Sequence, residues 1–230
     1  MDTLSEELIH RLNTEVFFEI PVFGGIPISQ SVVATWGIMA ILVLGSILLV
    51  QNLKIVPGRK QIALEIVVGG FLKMFYGILG ESGKRYAPYL TTVLLYIGIA
   101  NLTGVVGVAP PTKDLNVTAA LAFMSIILVE YAGIRTKGLF GWFKSFTEPM
   151  VIITPIKIME VFMRPLSLCM RMFGNIFGSF VVMEMLMIVA PVIIPVPFSL
   201  YFDFFDGLVQ AYVFVFLTSL FIREAIEIEE

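Results

Sequence analysis

The chain has 230 residues, of which 58% are hydrophobic and 14% charged, with a net charge of −3 and a mean hydropathy of +0.93. Soluble domains carry about 25% charged residues, so the composition describes a polytopic membrane protein, with one domain as the simplest count. The negative balance argues against a nucleic-acid partner. The single Cys169 leaves no internal disulfide or metal-ligand cluster, and the single His10 leaves no material for a histidine metal site or triad.

Residues 1–28 carry Asp2, Glu6, Glu7, Glu15 and Glu19 against Arg11 alone. They lack the basic start, apolar core and small-residue cleavage site of a signal peptide. A short helix is expected over 6–19 and a loop over 21–27. Residues 32–50 form an uncharged run of 19, enough for one crossing. Lys54, Arg59 and Lys60 follow it, which places that end in the cytoplasm and the acidic N-terminus outside. The expected division is an extracytoplasmic segment, 1–28, and a single membrane domain, 29–230.

In residues 59–80, Glu65 and Lys73 leave only seven uncharged positions between them, too few to span. This stretch is expected to lie at the cytoplasmic interface as an amphipathic helix, with Glu81, Lys84 and Arg85 keeping its far end at the surface. Residues 86–112 cross outward and end at Pro110-Pro111, and Lys113 and Asp114 mark an outer loop. Residues 115–134 return, with Asn116 near the outside and Glu130 near the inside. Arg135, Lys137 and Lys144 then mark a cytoplasmic loop.

From about 150 to 192 the chain holds some forty mostly apolar residues, twice the ~20 that one crossing needs. Either a re-entrant piece or a strongly tilted helix is implied; a tilted helix with a proline-associated bend at its start is the favoured form. Pro191, Pro195 and Pro197 make the outer turn, and residues 200–222 go back in. The fold class is therefore an all-α polytopic membrane protein: five crossings, one interfacial helix, and a long tilted helix hairpin at 150–223.

The 150–192 segment carries a polar stripe. At ~100° per residue, Glu160, Arg164, Ser167, Arg171, Asn175 and Gly178 fall within about 40° of one line, with Ser179 at its edge. A guanidinium stays protonated at physiological pH, so burial cannot silence it. Snorkelling to head groups suits Arg164, which lies nearer the charged end. It suits Arg171 poorly, because Asn175 and Ser179 lie deeper still, and a functional charge at depth is the reading preferred there. The last helix repeats the pattern, with Asp203, Asp206 and Gln210 expected on one face. The two carboxylates either cap a helix N-terminus or line a hydrated path from outside. Glu184 adds a third carboxylate about 140° from Arg171, while Glu160 and Glu130 lie toward the cytoplasm. The whole resembles two ion-access routes from opposite sides, kept apart by a cation, and makes no constellation for hydrolytic chemistry.

RPLSLCMRMFGN at 164–175, PPTKDLNVT at 110–118, SGKRYAPYLTTVLLYIGIANLTG at 82–104 and LVQAYVFVFLT at 208–218 are similar to subunit a of the F-type ATP synthase. The similarity covers roughly residues 30–222, with order and spacing kept. It implies a stator subunit in a bacterial inner membrane, carrying H+ or Na+ through two offset half-channels, with no ATP chemistry of its own and no cofactor. Its partners would be a rotating c-ring of small hairpin subunits, which the 150–223 hairpin would face, the peripheral stalk b subunits and membrane lipid. The family's essential arginine maps onto Arg171 and its last-helix glutamine onto Gln210, and Asn175 and Asn116 belong to the same signatures. Some relatives have an acidic residue where Phe180 stands and a polar one where Asp203 stands. The resemblance thus implies that the carboxylate role has moved to Asp203, helped by Glu184 or Asp206. Two competing readings are a secondary transporter using Arg171 for an anionic substrate and a non-catalytic assembly factor. The first requires matched halves with broken helices, the second no charge at depth.

Overall fold

A computed structural model describes residues 16–20, 26–51, 54–55, 57–147, 151–189 and 195–227. Two short strands come first, β1 (Val16–Ile20) and β2 (Ile26–Ser29), paired antiparallel with Val16 opposite Ser29 and Ile20 opposite Ile26. The expected helix over 6–19 is therefore replaced by a strand from 16 onward, where the VFFEI run has the β-branched and aromatic content that favours pairing. Residues 26 and 27, expected as loop, belong to β2. Residues 6–15 and 21–25 lie outside the described residues, as does His10.

Helix α1 (Gln30–Val50) coincides with the first expected crossing and is apolar on all sides. Helix α2 (Arg59–Gly83) is broken at Gly80, whose φ of 66° is the left-handed region that costs only glycine little. The break falls at the end of the charged 59–80 stretch. A single 3-10 turn (Lys84–Tyr86) then leads into α3 (Ala87–Leu102).

Helix α4 (Leu115–Ser145) starts on a cap that its sequence spells out. Asp114 Oδ1 accepts the Asn116 N–H at 2.9 Å, and the Asp114 carbonyl accepts that of Thr118 at 3.2 Å. A cap of this kind contributes about 1 kcal/mol. The helix is interrupted at Gly138, and the expected cytoplasmic loop bearing Lys144 is helical.

Helix α5 (Thr154–Val189) is one element of 36 residues that runs through Pro165. The proline removes one backbone donor, and the ladder on either side carries the helix past it. No re-entrant break interrupts Thr154–Val189, and at 1.5 Å per residue the helix is about 54 Å long. Helix α6 (Pro195–Ile226) begins earlier than expected. Pro195 and Pro197 sit in its first turn, where the missing N–H groups would have no intrahelical partner anyway. Within it, Leu200–Asp206 forms a wide π-helical turn before α geometry resumes at Gly207.

Among the described residues, five helical stretches are long and apolar enough to cross a membrane: Gln30–Val50, Arg59–Val106, Leu115–Ser145, Thr154–Ile188 and Pro195–Ile226. Exposed Ile41, Leu48, Phe123, Ile127 and Phe162 along them form apolar surface that a water-soluble monomer does not carry. The chain is an all-α polytopic membrane protein, with β1 and β2 as a short appendage.

The residues group into two compact units. The first is formed by 1–43, 96–118 and 171–212, the second by 44–95, 119–170 and 213–230. The first buries Ile97, Asn101, Thr112, Met172 and Gln210; the second buries Phe75, Leu90, Val129, Phe214 and Ile222.

Candidate functional site

Arg171 stands midway along α5, 17 residues from Thr154 and 18 from Val189, about 26 Å of helix from either end. Its side chain is exposed, and it has no hydrogen-bond or ion-pair partner among the described residues. A Cβ added to Gly174 or Gly178 would meet nothing within 4 Å, so the backbone beside the arginine is uncovered too. Ser167, one turn earlier, is also exposed.

One turn on, α5 is tied to α6. Asn175 Nδ2 donates to Gln210 Oε1 at 2.9 Å, and Gln210 is only 4% exposed. A neutral amide suits the buried Gln210, because the exposed Asn175 satisfies it with no net charge to desolvate. Ser179 Oγ donates to the Asn175 carbonyl at 2.8 Å and lies 3.5 Å from Asp206 Oδ2. Arg171 is thus followed by a short polar ladder: Asn175 with Gln210, then Ser179 with Asp206.

Asp203 takes a separate position. It lies within the wide turn over Leu200–Asp206, where the rotation per residue departs from the α value. Its Oδ2 accepts the Ser199 hydroxyl at 2.7 Å, and its Oδ1 lies against Gly104. A cleft of about 10 Å³ beside it, lined by Asn101, Ile176, Ser179, Phe180 and Asp203, has room for about one water. Lys113 Nζ stands 4.1 Å from the centre of the Phe180 ring, a cation–π contact. Glu184 is half-buried, and Asn116 is exposed beside the α4 cap.

Asn101 received no weight in the sequence reading, yet it organises this region. It is 2% exposed, donates to the Gly207 carbonyl at 2.8 Å and accepts the Thr112 hydroxyl at 2.7 Å. Its signal was an asparagine inside an otherwise apolar helix, a residue that must find partners when buried.

The second unit holds a different polar group. Arg164 Nη2 lies 2.6 Å from Glu224 Oε1 and 3.4 Å from Glu160 Oε2, and its guanidinium stands 5.1 Å from the Phe221 ring. Arg164, for which snorkelling is expected, forks between these two carboxylates. Trp142 Nε1 donates to Glu130 Oε2 at 2.9 Å, and Lys157 Nζ to the Ser145 carbonyl at 2.9 Å. These groups line a cavity of about 190 Å³, which has room for several waters. Neither Glu224 nor Trp142 carries weight in the sequence. No spacing rule connects either to Glu160 or Glu130.

A family model described as ATP synthase A chain matches residues 32–223. The chain belongs to that family. "ATP synthase subunit a, sodium ion specific" of Propionigenium modestum is 38% identical over 219 residues, covering 88% of this chain and 75% of the relative. Subunit a of Moorella thermoacetica is 39% identical over 209 residues, covering 89% and 94%. A Bradyrhizobium subunit a is 34% identical over 216 residues, covering 94% and 95%. The chain is accordingly the stator ion-channel subunit of an F-type ATP synthase, working with the other subunits of the membrane sector. A secondary transporter for an anionic substrate is not favoured.

Proposed function

We propose that Arg171 is the barrier between two ion-access routes, which load and unload carboxylates on a rotating c-ring of small hairpin subunits. The observation that carries this reading is an exposed guanidinium midway along α5, with no partner among the described residues, beside the uncovered backbone of Gly174 and Gly178. An arginine at membrane depth costs at least ~2.5–3.5 kcal/mol on insertion scales. A face that displays one is therefore built for an anion supplied by another chain. The open glycines allow that chain to come close.

The outer route runs by Asp203, Asp206 and Glu184, with Asn116 near its mouth. The inner route uses the cavity of Glu130, Glu160 and Arg164. An ion, H+ or Na+, arrives from outside and neutralises a ring carboxylate, which removes the cost of turning a bare charge into lipid. After nearly a full turn the ion leaves by the inner route. The bared carboxylate then passes Arg171, which stabilises it and repels an ion that would leak straight across. Asn175 and Gln210 close the gap between α5 and α6 beside the arginine. Ser167 lies on the same stripe, toward the inner route. The driving potential is worth ~2.3 kcal/mol per charge per 100 mV.

Lys54, Arg59, Lys60, Arg135, Lys137 and Lys144 set the orientation in a bacterial inner membrane: N-terminus outside, C-terminus in the cytoplasm. The 59–80 stretch lies at the cytoplasmic interface. Helix α5, about 54 Å long against a hydrocarbon core of ~30 Å, runs strongly tilted along the ring. The peripheral stalk b subunits and lipid cover other faces.

The test is Arg171→Ala in the assembled complex, reconstituted in vesicles, with ATP-driven uptake and passive leak recorded together. Lost pumping with raised leak and normal assembly is the expected result. Near-normal pumping would reduce Arg171 to an interfacial anchor and sink the mechanism.

A further inference from the structure

In the first unit, two glycines each make room for a polar side chain from another segment. A Cβ on Gly207 would stand 3.0 Å from Asn101 Cβ. A Cβ on Gly104 would stand 2.7 Å from Asp203 Oδ1 and 2.8 Å from its Cγ. No packed interior tolerates carbon that close, so the Asp203 carboxylate fills the volume a side chain at 104 would take. The three atoms nearest that Cβ all belong to the Asp203 side chain.

The surroundings keep this seat in place. Ser199 Oγ holds the other carboxylate oxygen, and Asn101 pins the Gly207 carbonyl just past the wide turn that carries Asp203. Thr112 Oγ1 in turn fixes Asn101. An aspartate at 104 would carry its carboxylate oxygens about 2.4 Å from its own Cβ, which puts them in the same space.

We propose that positions 104 and 203 share one carboxylate seat, and that the outer route requires an anion in that seat rather than an aspartate on α6. Gly104 is then a positioning residue: its missing side chain lets Asp203 serve. The functional half of this proposal rests on the outer-route reading given above. The structural half stands apart from it, because two carboxylates in one seat both overlap and repel.

A double-mutant cycle separates the two, read in the assembled complex by thermal inactivation and by ATP-driven ion uptake in vesicles. Gly104→Asp alone should lower both, with uptake down about tenfold. Asp203→Ala alone should lower uptake but not thermal stability. Together they should restore both readouts to within about twofold of the parent, a coupling in the range seen for residues in contact. Gly104→Asn with Asp203→Ala should restore stability but not uptake, since it fills the seat without an anion. If Gly104→Asp alone does not assemble, rescue of assembly by Asp203→Ala is the same readout. A double variant no better than Gly104→Asp alone overturns the proposal. Coupled stability with uptake indifferent to Asp203→Ala would keep the shared seat, overturn its functional half and remove Asp203 from the outer route.

Discussion

The two polar groups of this chain are built by opposite means. Around Asn175, Gln210 and Asn101 the polar atoms are satisfied by neutral amides and hydroxyls at 2.7–2.9 Å, beside a cleft with room for about one water. Around Arg164 the groups are ionised, paired in forks, and set round a cavity of about 190 Å³. Neutral amides can be buried without a large desolvation penalty, whereas ion pairs persist comfortably only where water shares the load. The difference teaches that the first group is a rigid frame and the second a wet vestibule. Arg171 belongs to neither, because its charge faces out from the chain.

Removing that charge is the change of largest expected effect, with coupled uptake abolished in Arg171→Ala. Next comes the frame. Gln210→Leu removes the hydrogen bond to the exposed Asn175 amide at a cost of about 0.5–1.5 kcal/mol, and both the inactivation temperature of the complex and its uptake should drop. An unchanged inactivation temperature would show that this contact is not part of the frame. Within the outer carboxylates, Asp203→Ala should slow uptake more than Asp206→Ala, because Asp203 is seated by Ser199 and Gly104 while Asp206 meets Ser179 at the longer distance of 3.5 Å. Equal, mild effects would remove the case for a route centred on Asp203.

The vestibule should respond least. The Glu224 side chain is 60% exposed, so Glu224→Gln should shift stability by at most about 0.2–1 kcal/mol, and high salt should mimic it by screening the pair. A loss of several-fold in uptake, undiminished by salt, would instead make the Arg164–Glu224 pair part of a dry path.

Much of this was legible in the sequence, and the failures have physical causes. The apolar runs located the five spanning helices because composition alone decides burial in lipid. The stripe from Glu160 to Ser179 was readable because α5 is an unbroken helix, so ~100° per residue holds along its length. The same arithmetic does not hold through Leu200–Asp206, where the chain makes a wide turn in place of α geometry. Val16–Ile20 was misread because its acidic neighbours resembled a surface helix while pairing with Ile26–Ser29 decided its form. Asn101, Trp142 and Glu224 act through residues far away in the chain, a coupling that local spacing does not encode.

The wide turn over Leu200–Asp206 has one more consequence, in the language of insertions and deletions. It accommodates its residues without breaking the helix, so removing a single residue there would leave a helix of nearly the same length and apolarity. Everything N-terminal to the deletion would be rotated by about 100° relative to Gln210. A deletion just after 203 thus gives the lineage a way to re-aim the carboxylate at 203 against a fixed 206 and 210 by changing length alone, with no side chain replaced. Alignments that place a one-residue gap in this segment should be read as a rotation of the outer face, not as a shortened loop.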